Sequence, residues 1–222
     1  MRKLNETKRM NKLADIWNKR YSGKEFIYGE QPNIFLQQQL EKLPVGHILF
    51  AGEGEGRNAV YAATLGWRVT AFDISREGKK KAQQLADKHN VKIDYRVGEL
   101  QELSFEEEQF DVIALIYTHF PIELRAAIHK RLTDHVRPGG TILLEAFSKN
   151  HISNQADNPT AGGPKDINLL YTVDEIRSDF ANYEKVEIEE VEVDLSEGLY
   201  HIGLGSVIRF TGMKQLPGNR DD

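Results

Sequence analysis

The 222-residue sequence contains no cysteine. Disulfide bonds, thiolate zinc sites, cysteine-held iron–sulfur clusters and a cysteine nucleophile are therefore excluded. Long apolar runs are absent too, since no stretch approaches the roughly 18 residues of a transmembrane helix. Residues 1–6 are polar, and the apolar core of a secretory signal does not follow them. We therefore expect a cytoplasmic protein with no bound metal and no membrane partner.

Positive charge is also scarce, because 29 Lys and Arg residues stand against 34 Asp and Glu residues, which gives a net charge of −5. Proteins that bind a phosphate backbone usually carry a basic face. The longest basic run, Lys79-Lys80-Lys81, lies in a predicted helix and is typical of a solvated helix surface. Nucleic acid is therefore not an expected partner.

Apolar strand patterns alternate with helix patterns along most of the chain. Alternation of this kind predicts a parallel sheet with helices on both faces, and continuous apolar strands are typical of burial on both sides. The predicted fold class is α/β, a Rossmann-like seven-stranded, mostly parallel sheet with a C-terminal antiparallel hairpin. Residues 148–170, rich in Asn, Gly and Pro, are expected to be irregular. Strands are predicted at 47–51, 67–72, 91–97, 110–117, 141–147, 183–194 and 199–211, and helices at 34–43, 57–65, 76–89, 121–136 and after Thr172.

A glycine-rich loop follows the first strand, with glycine at positions 52, 54 and 56. Such a loop lies at the carboxyl end of the strands, where open α/β sheets bind ligands. Glycine has no Cβ, so a ligand can lie directly against the backbone. Asp73 ends the second strand, where a carboxylate can accept hydrogen bonds from both ribose hydroxyls. The combination predicts a nucleotide cofactor.

Two cofactors compete for this loop. The dinucleotide fingerprint can be placed on Gly54, Gly56 and Ala59, so an NAD(P)-linked oxidoreductase is one alternative. S-adenosylmethionine is favoured by the strictly alternating glycines, the late start of the first strand and the terminal hairpin. A Tyr-x-x-x-Lys pair, which would support the oxidoreductase, is absent. A non-catalytic module that binds the cofactor or its demethylated product is the second alternative.

The chain resembles class I S-adenosylmethionine-dependent methyltransferases, and more closely small bacterial enzymes related to tellurite-resistance and thiopurine methyltransferases. The sequence departs from the family pattern at two positions. Phe50 stands where the family usually has an aspartate, and Glu53 replaces a small residue or cysteine. The matching stretches are Trp17-Asn18-Lys19-Arg20-Tyr21, Phe26-Ile27-Tyr28-Gly29, Pro32-Asn33-Ile34-Phe35-Leu36, residues 52–58, Phe72-Asp73-Ile74-Ser75 and Arg137-Pro138-Gly139-Gly140.

The resemblance implies roles for particular residues. Tyr117, at the end of the fourth strand, would lie beside the transferring methyl group. Residues 1–44 would form a helical extension and cofactor lid, 45–214 the S-adenosylmethionine-binding domain, and 215–222 a disordered tail. The cofactor-binding residues would be Gly52, Glu53, Gly54 and Gly56 around the methionine and ribose parts, Asp73 on the ribose, Ile74 beside the adenine, Gly98, Glu99 and Leu100 near the adenine amino group, and Tyr21 and Tyr28, with Arg20, in the lid.

Methyl transfer depends on alignment of acceptor, methyl and sulfur. A soft anionic acceptor such as a thiolate or a chalcogen oxyanion needs no base, whereas a hydroxyl or ammonium does. His119 and His201 are the candidate histidines, and we expect them to shape the acceptor pocket and not to act as an essential base. Glu145 ends the fifth strand and is a further candidate. The fourth strand is not followed by an Asn-Pro-Pro-Tyr-type tetrad, so a small-molecule acceptor is expected.

Overall fold

The computed structural model describes residues 2–216, with side chains from residue 12 onward. Helices and strands alternate through most of the chain, as the sequence predicts. The helices are α1 (Arg2–Tyr21), α2 (Ile34–Leu40), α3 (Arg57–Thr64), α4 (Arg76–Lys88), α5 (Ile122–His135), α6 (His151–Asp157) and α7 (Val173–Asp179). The strands are β1 (His47–Ala51), β2 (Arg68–Asp73), β3 (Asp94–Val97), β4 (Phe110–Ile116), β5 (Val136–Phe147), β6 (Tyr183–Glu197) and β7 (His201–Lys214).

The seven strands form one sheet in the order β3-β2-β1-β4-β5-β7-β6. Strands β1 to β5 pair in parallel, and β7 pairs antiparallel with both β5 and β6. The predicted fold class is therefore confirmed. The ends of β1 and β4, which are neighbours at the centre of the sheet, meet at its carboxyl edge.

Both faces of the sheet are covered by helices, and this explains the continuous apolar strands. In β1, Ile48 and Phe50 pack with α2 and α3 on one face, while Leu49 and Ala51 pack on the other. All four side chains are buried. Burial on both faces removes the alternation that a half-exposed strand would show.

Several bounds differ from the sequence-based prediction: β3 begins at residue 94 and not 91, α2 ends at residue 40 and not 43, and larger differences occur at β5 and at residues 148–170. Strand β5 begins at Val136, so the Pro138-Gly139-Gly140 turn lies inside it as an irregularity, with Phe110 opposite Val136 and Val112 opposite Thr141. At this irregularity Gly139 has a left-handed backbone conformation, with a φ of 73°. The expectation of an irregular segment at 148–170 was wrong, because α6 and two 3₁₀ turns, Pro159–Ala161 and Ile167–Leu169, lie there. These elements are too short to show an apolar period.

The terminal hairpin is longer than its sequence pattern suggests. Strand β6 continues to Glu197 and β7 begins at His201, so the turn lies at 198–200 and not at Ser196-Glu197-Gly198. Val207 is opposite Phe147, the last residue of β5. The hairpin tip therefore extends well beyond the carboxyl edge of the sheet. It reaches the N-terminal segment, where the Leu199 N–H donates to the Ile27 carbonyl (2.7 Å).

The predicted domain boundaries at 44 and 214 stay predictions, and most of the predicted tail, residues 217–222, lies outside the described residues. Within residues 2–216, no helix has both the length and the apolar character needed to cross a membrane.

Candidate active site

The glycine loop forms a tight turn between β1 and α3. Gly52, Gly54 and Gly56 all have left-handed backbones, with φ of 67°, 63° and 89°. Residues with a side chain rarely adopt this backbone conformation, whereas glycine adopts it without strain. A Cβ at Gly54 would lie 2.7 Å from the hydroxyl of Tyr21, and one at Gly56 would lie 2.4 Å from the Cβ of Ala82. The loop therefore needs glycine for both its conformation and its close packing.

Asp73 lies directly beside this loop. Its Oδ2 accepts a hydrogen bond from the Gly54 N–H (3.0 Å), and its Oδ1 accepts one from the Ser75 N–H (2.8 Å). Burial raises the pKa of Asp73 to about 6, against the lowering effect of these backbone donors. Each carboxylate oxygen can accept more than one hydrogen bond, so Asp73 retains capacity for a ribose. The strand-end acid and the glycine cradle together fit the nucleoside part of S-adenosylmethionine.

Glu53 lies inside the loop but bonds to the following helix. Its Oε1 accepts hydrogen bonds from the N–H groups of Asn58 (2.9 Å) and Ala59 (2.8 Å), which caps α3. Burial raises the pKa of Glu53 to about 7. Phe50, which replaces the family's aspartate, is fully buried in the core. The structure thus places Glu53 at a helix cap.

The predicted adenine-side residues lie at the carboxyl ends of β2 and β3. The Gly98 N–H donates to the Asp73 carbonyl (3.0 Å), which joins the two strand ends. Ile74 is half-buried next to Asp73, and the Glu99 N–H donates to Glu102 (3.3 Å). Leu100 is buried and its side chain packs into the core.

The N-terminal segment covers the glycine loop. Tyr21 is buried against Gly54, and the Asn18 side-chain oxygen accepts hydrogen bonds from the Ser75 hydroxyl and the Glu77 N–H at the start of α4. Arg20 donates to the Tyr28 hydroxyl (2.9 Å). The N-terminal segment thus packs on the glycine loop and α4, and its role as a cofactor lid stays a prediction.

A buried ion pair also joins the N-terminal segment to the glycine loop. Glu55, the loop's second glutamate, bonds Lys81 of α4 (2.6 Å) and accepts a hydrogen bond from the Ile27 N–H (2.8 Å). Lys81 also donates to the Glu25 carbonyl. The glycine loop therefore holds the N-terminal segment directly.

A polar cluster occupies the carboxyl edge beyond β4 and β5. Glu145, 1% exposed, accepts hydrogen bonds from Asn33 (2.6 Å) and from Arg209 (2.6 Å). Tyr117, with a left-handed φ of 52°, follows β4 in this cluster. A bulky residue in that conformation is a strained position of the kind found at functional sites. Burial and the neighbouring Glu145 carboxylate raise the pKa of Tyr117.

The hairpin tip supplies the other half of the cluster. Glu197 Oε2 accepts hydrogen bonds from Arg57 (2.9 Å) and from His201 Nδ1 (2.9 Å), and Asn33 reaches Glu197 Oε1 (3.3 Å). The ring of His201 lies 4.6 Å from that of Tyr117, centroid to centroid. The structure thus brings Tyr117 and His201 together.

His119 and His201 both pack against Phe147, with ring-centroid distances of 5.9 Å and 5.3 Å. The Nδ1 of His119 donates to the Leu169 carbonyl (3.1 Å), and its buried Nε2 has no hydrogen-bond partner. Burial lowers the pKa of His119 to about 3. His119 is therefore neutral and presents a hydrogen-bond acceptor.

Sequence reasoning missed Asn33, Arg57, Arg209 and Glu197 as site residues. Arg57 and Asn33 lie in stretches that resemble the family, but no role was assigned to them. Glu197 looks like a turn residue in the sequence. No group of His, Asp and Glu residues suited to hold a metal is found among the described residues.

Comparison with known proteins supports the nucleotide assignment. A methyltransferase domain family matches residues 48–140. The ubiquinone biosynthesis O-methyltransferase of Xanthomonas campestris pv. campestris is 32% identical over 110 residues, which cover 48% of this chain and 45% of that protein. The probable S-adenosyl-L-methionine-dependent methyltransferase TehB of Haemophilus influenzae is 23% identical over 144 residues, or 64% of this chain and 48% of that protein. The chain thus spans about half the length of these curated relatives.

Solved structures share the fold over nearly the whole chain. A protein studied for the conversion of a disulfide bond into a thioacetal group during echinomycin biosynthesis has a TM-score of 0.74 and 20% identity, with 93% of each chain covered. TehB from Haemophilus influenzae has a TM-score of 0.63 and 17% identity, with 91% of this chain and 67% of that chain covered. The glycine loop and Asp73 both lie within residues 48–140, the stretch that matches the methyltransferase domain family, and the fold is that of S-adenosylmethionine-dependent methyltransferases. These observations indicate S-adenosylmethionine as the cofactor.

Proposed function

We propose that the protein transfers a methyl group from S-adenosylmethionine to a neutral, protic small molecule, either a thiol or a hydroxyl compound. The observation that carries the proposal is the buried cluster around Tyr117 and His201 at the carboxyl edge of the sheet. This edge also holds the glycine loop and Asp73, so acceptor and cofactor residues share one site. When bound, the cofactor supplies an electrophilic methyl group on a sulfonium.

The charge of the cluster supports a neutral acceptor. Arg57 is paired with Glu197, and Arg209 is paired with Glu145, so both guanidinium groups are already neutralised by carboxylates. A chalcogen oxyanion would need an uncompensated cation or several convergent donors to replace its hydration. A thiol remains compatible with the soft acceptor expected from the sequence. The curated relatives in Xanthomonas are named as O-methyltransferases, which supports a hydroxyl as the second possibility.

The N-terminal segment and the hairpin tip pack against each other beside this site. Gly198 packs against Gly29, where a Cβ on Gly29 would lie 3.3 Å from the Gly198 nitrogen. Arg20 lies over the Tyr200 ring at 5.3 Å. Both segments therefore form one cover, and we propose that an acceptor enters when it opens. Exclusion of water strengthens every electrostatic contact inside the site.

A turnover screen tests the proposal. Purified protein is incubated with S-adenosylmethionine and, separately, with benzyl mercaptan, catechol, tyramine, selenite or tellurite, and release of S-adenosylhomocysteine is measured. We expect turnover with benzyl mercaptan or catechol, and much slower turnover in the Asp73→Ala variant at a cofactor concentration that does not saturate the wild type. Turnover restricted to selenite or tellurite would contradict the neutral acceptor. Tight binding of S-adenosylhomocysteine with no turnover of any acceptor would instead support the non-catalytic module.

A further inference from the structure

We infer that His201 is the proton acceptor of the methyl-transfer site and that Glu197 is its positioning residue. The inference rests on the proposed function, because a proton acceptor is needed only for a protic acceptor. It departs from the sequence-based expectation that His201 only shapes the pocket. The contact between the two side chains, which the sequence does not reveal, is the reason for the change.

The hairpin register brings these residues face to face. Glu197 is the last residue of β6, His201 is the first of β7, and the two form the terminal pair of the ladder. The Glu197 carboxylate can only accept, so the hydrogen of the 2.9 Å bond belongs to His201 Nδ1. The other nitrogen, Nε2, then carries a lone pair, and no described residue hydrogen-bonds it. A carboxylate that orients a histidine in this way selects the tautomer that can take a proton.

The ring of His201 packs against three aromatic side chains. Its centroid lies 4.6 Å from Tyr28, 4.6 Å from Tyr117 and 5.3 Å from Phe147. His201 is only 5% exposed. The close packing and the hydrogen bond to Glu197 together restrict the orientation of the ring, and with it the direction of Nε2. Such preorganisation is what a proton-transfer group requires.

Glu197 is itself anchored as an anion. Although burial alone would raise the pKa of Glu197, the hydrogen bond from His201 and the charge of Arg57 lower it to about 2. Asn33 donates to its second oxygen. The carboxylate therefore stays charged and fixed at neutral pH, and it can stabilise an imidazolium that forms on His201.

The surroundings of His119 do not suit it to the role of proton acceptor. The Nδ1 of His119 donates to the neutral Leu169 carbonyl, and its Nε2 has no hydrogen-bond partner, so no described carboxylate hydrogen-bonds the ring. Burial lowers the pKa of His119 to about 3, which makes it a weak base. Burial also lowers the pKa of His201, but the hydrogen bond and charge of Glu197 oppose that effect. Of the two histidines, only His201 combines a neutral resting state with a counter-charge for its protonated form.

The proton balance is complete with the groups of the site. The lone pair of the acceptor oxygen or sulfur forms a bond to the methyl carbon. At the same time the bond between that carbon and the sulfonium sulfur breaks, and its electron pair stays on the former sulfonium sulfur, which becomes a neutral thioether. The acceptor proton passes to His201 Nε2. One positive charge thus leaves the sulfonium and one appears on the imidazolium, adjacent to Glu197. No further reactant is needed.

Two acceptors of different acidity test the proposal. Benzyl mercaptan is mostly un-ionised at neutral pH, whereas 4-nitrothiophenol is mostly ionised and needs no base. We expect His201→Asn, which keeps a donor toward Glu197, to lower kcat for benzyl mercaptan by about 10²- to 10⁴-fold and kcat for 4-nitrothiophenol by less than about tenfold. Glu197→Gln should show the same selectivity with a smaller loss. The exposed substitutions His89→Asn and Glu192→Gln are the matched controls, and both should behave as wild type. An equal loss for the two acceptors, or a rise in KM with unchanged kcat, would overturn the assignment of His201 as the proton acceptor.

An imidazole ¹H–¹⁵N spectrum of the cofactor-free protein gives a readout that does not depend on activity. We expect one neutral histidine, absent from the His201→Asn spectrum, with its proton on Nδ1, and a mixture of tautomers for the same residue in Glu197→Gln. A proton on Nε2 in the wild type would overturn the positioning role. This spectrum distinguishes failure of the proposed function from failure of the positioning role of Glu197. If no acceptor is turned over, the proposed function fails, while a proton on Nδ1 still supports the Glu197–His201 geometry.

Discussion

Replacement of Glu53 by glutamine should stabilise the protein in a pH-dependent way. Glu53 caps α3 through a single oxygen, which accepts hydrogen bonds from both Asn58 and Ala59. A glutamine carbonyl can accept the same two bonds, so Glu53→Gln preserves the cap and removes the charge. The substitution therefore isolates the unfavourable free energy of holding a charged carboxylate in this loop.

The magnitude follows from the difference between the folded and unfolded pKa. Burial raises the pKa of Glu53 from 4.5 to about 7. Because the folded pKa lies above the unfolded one, the unfolded state releases its proton first, and wild-type stability falls as pH rises from about 4.5 to about 7. At 1.36 kcal/mol per pH unit this difference has an upper limit of about 3 kcal/mol. Glu53 retains some solvent contact, which reduces the expected effect to about 1–2 kcal/mol.

Urea denaturation followed by tryptophan fluorescence would measure this effect at pH 4.5 and pH 8. We expect Glu53→Gln to match the wild type at pH 4.5 and to exceed it by about 1–2 kcal/mol at pH 8, or roughly 2–8 °C in Tm for a chain of this size. Glu107→Gln, at an exposed position, is the control and should show no such difference. A variant that is less stable at pH 8, or equally shifted at both pH values, would refute the burial argument.

The remaining predictions concern ligand binding. Asp73→Ala should weaken S-adenosylhomocysteine binding about 10- to 150-fold by calorimetry, since a hydrogen bond to a charged group contributes about 1.5–3 kcal/mol, and a loss below twofold with the fold intact would remove Asp73 from the site. S-adenosylhomocysteine should raise Tm in a thermal scan and NAD should not; equal protection by NAD would reverse the cofactor assignment. Hydrogen exchange at residues 21–33 should slow when cofactor is added, and unchanged exchange would make this segment an ordinary docked extension. His119→Ala should raise the acceptor KM and leave kcat nearly unchanged, whereas a large loss of kcat would make His119 the base.

Local sequence patterns were sufficient for the sheet and for the cofactor loop. The apolar run at 47–51, the glycines that follow it and Asp73 all lie within one β–loop–α–β unit, so their arrangement depends on short connections. The same reasoning failed at 148–170, where α6 is held by tertiary contacts: His151 bonds the Gly162 carbonyl (3.1 Å) and accepts from the Ser206 N–H (3.2 Å).

The orientation of the Glu53 side chain is another feature that local sequence patterns do not predict. The sequence places this glutamate among the glycines, and family resemblance suggests a cofactor contact. Whether its carboxylate faces the crevice or turns back to cap the helix depends on loop torsions, which the residue order does not specify. The structure places it on the Asn58 and Ala59 N–H groups.

By itself, the sequence determined the order of the strands along the chain, the glycine turn and the acid beside it, because these features arise between neighbours in the sequence. Only the tertiary structure decided the polar cluster that we propose binds the acceptor. Arg57 and His201 meet at Glu197, although α3 and the hairpin are far apart in the chain. Their contact requires the β6–β7 hairpin to extend beyond the sheet edge and fold onto the N-terminal segment. The pairing register and strand length that produce this extension come from packing against β5, a long-range interaction that local patterns do not encode.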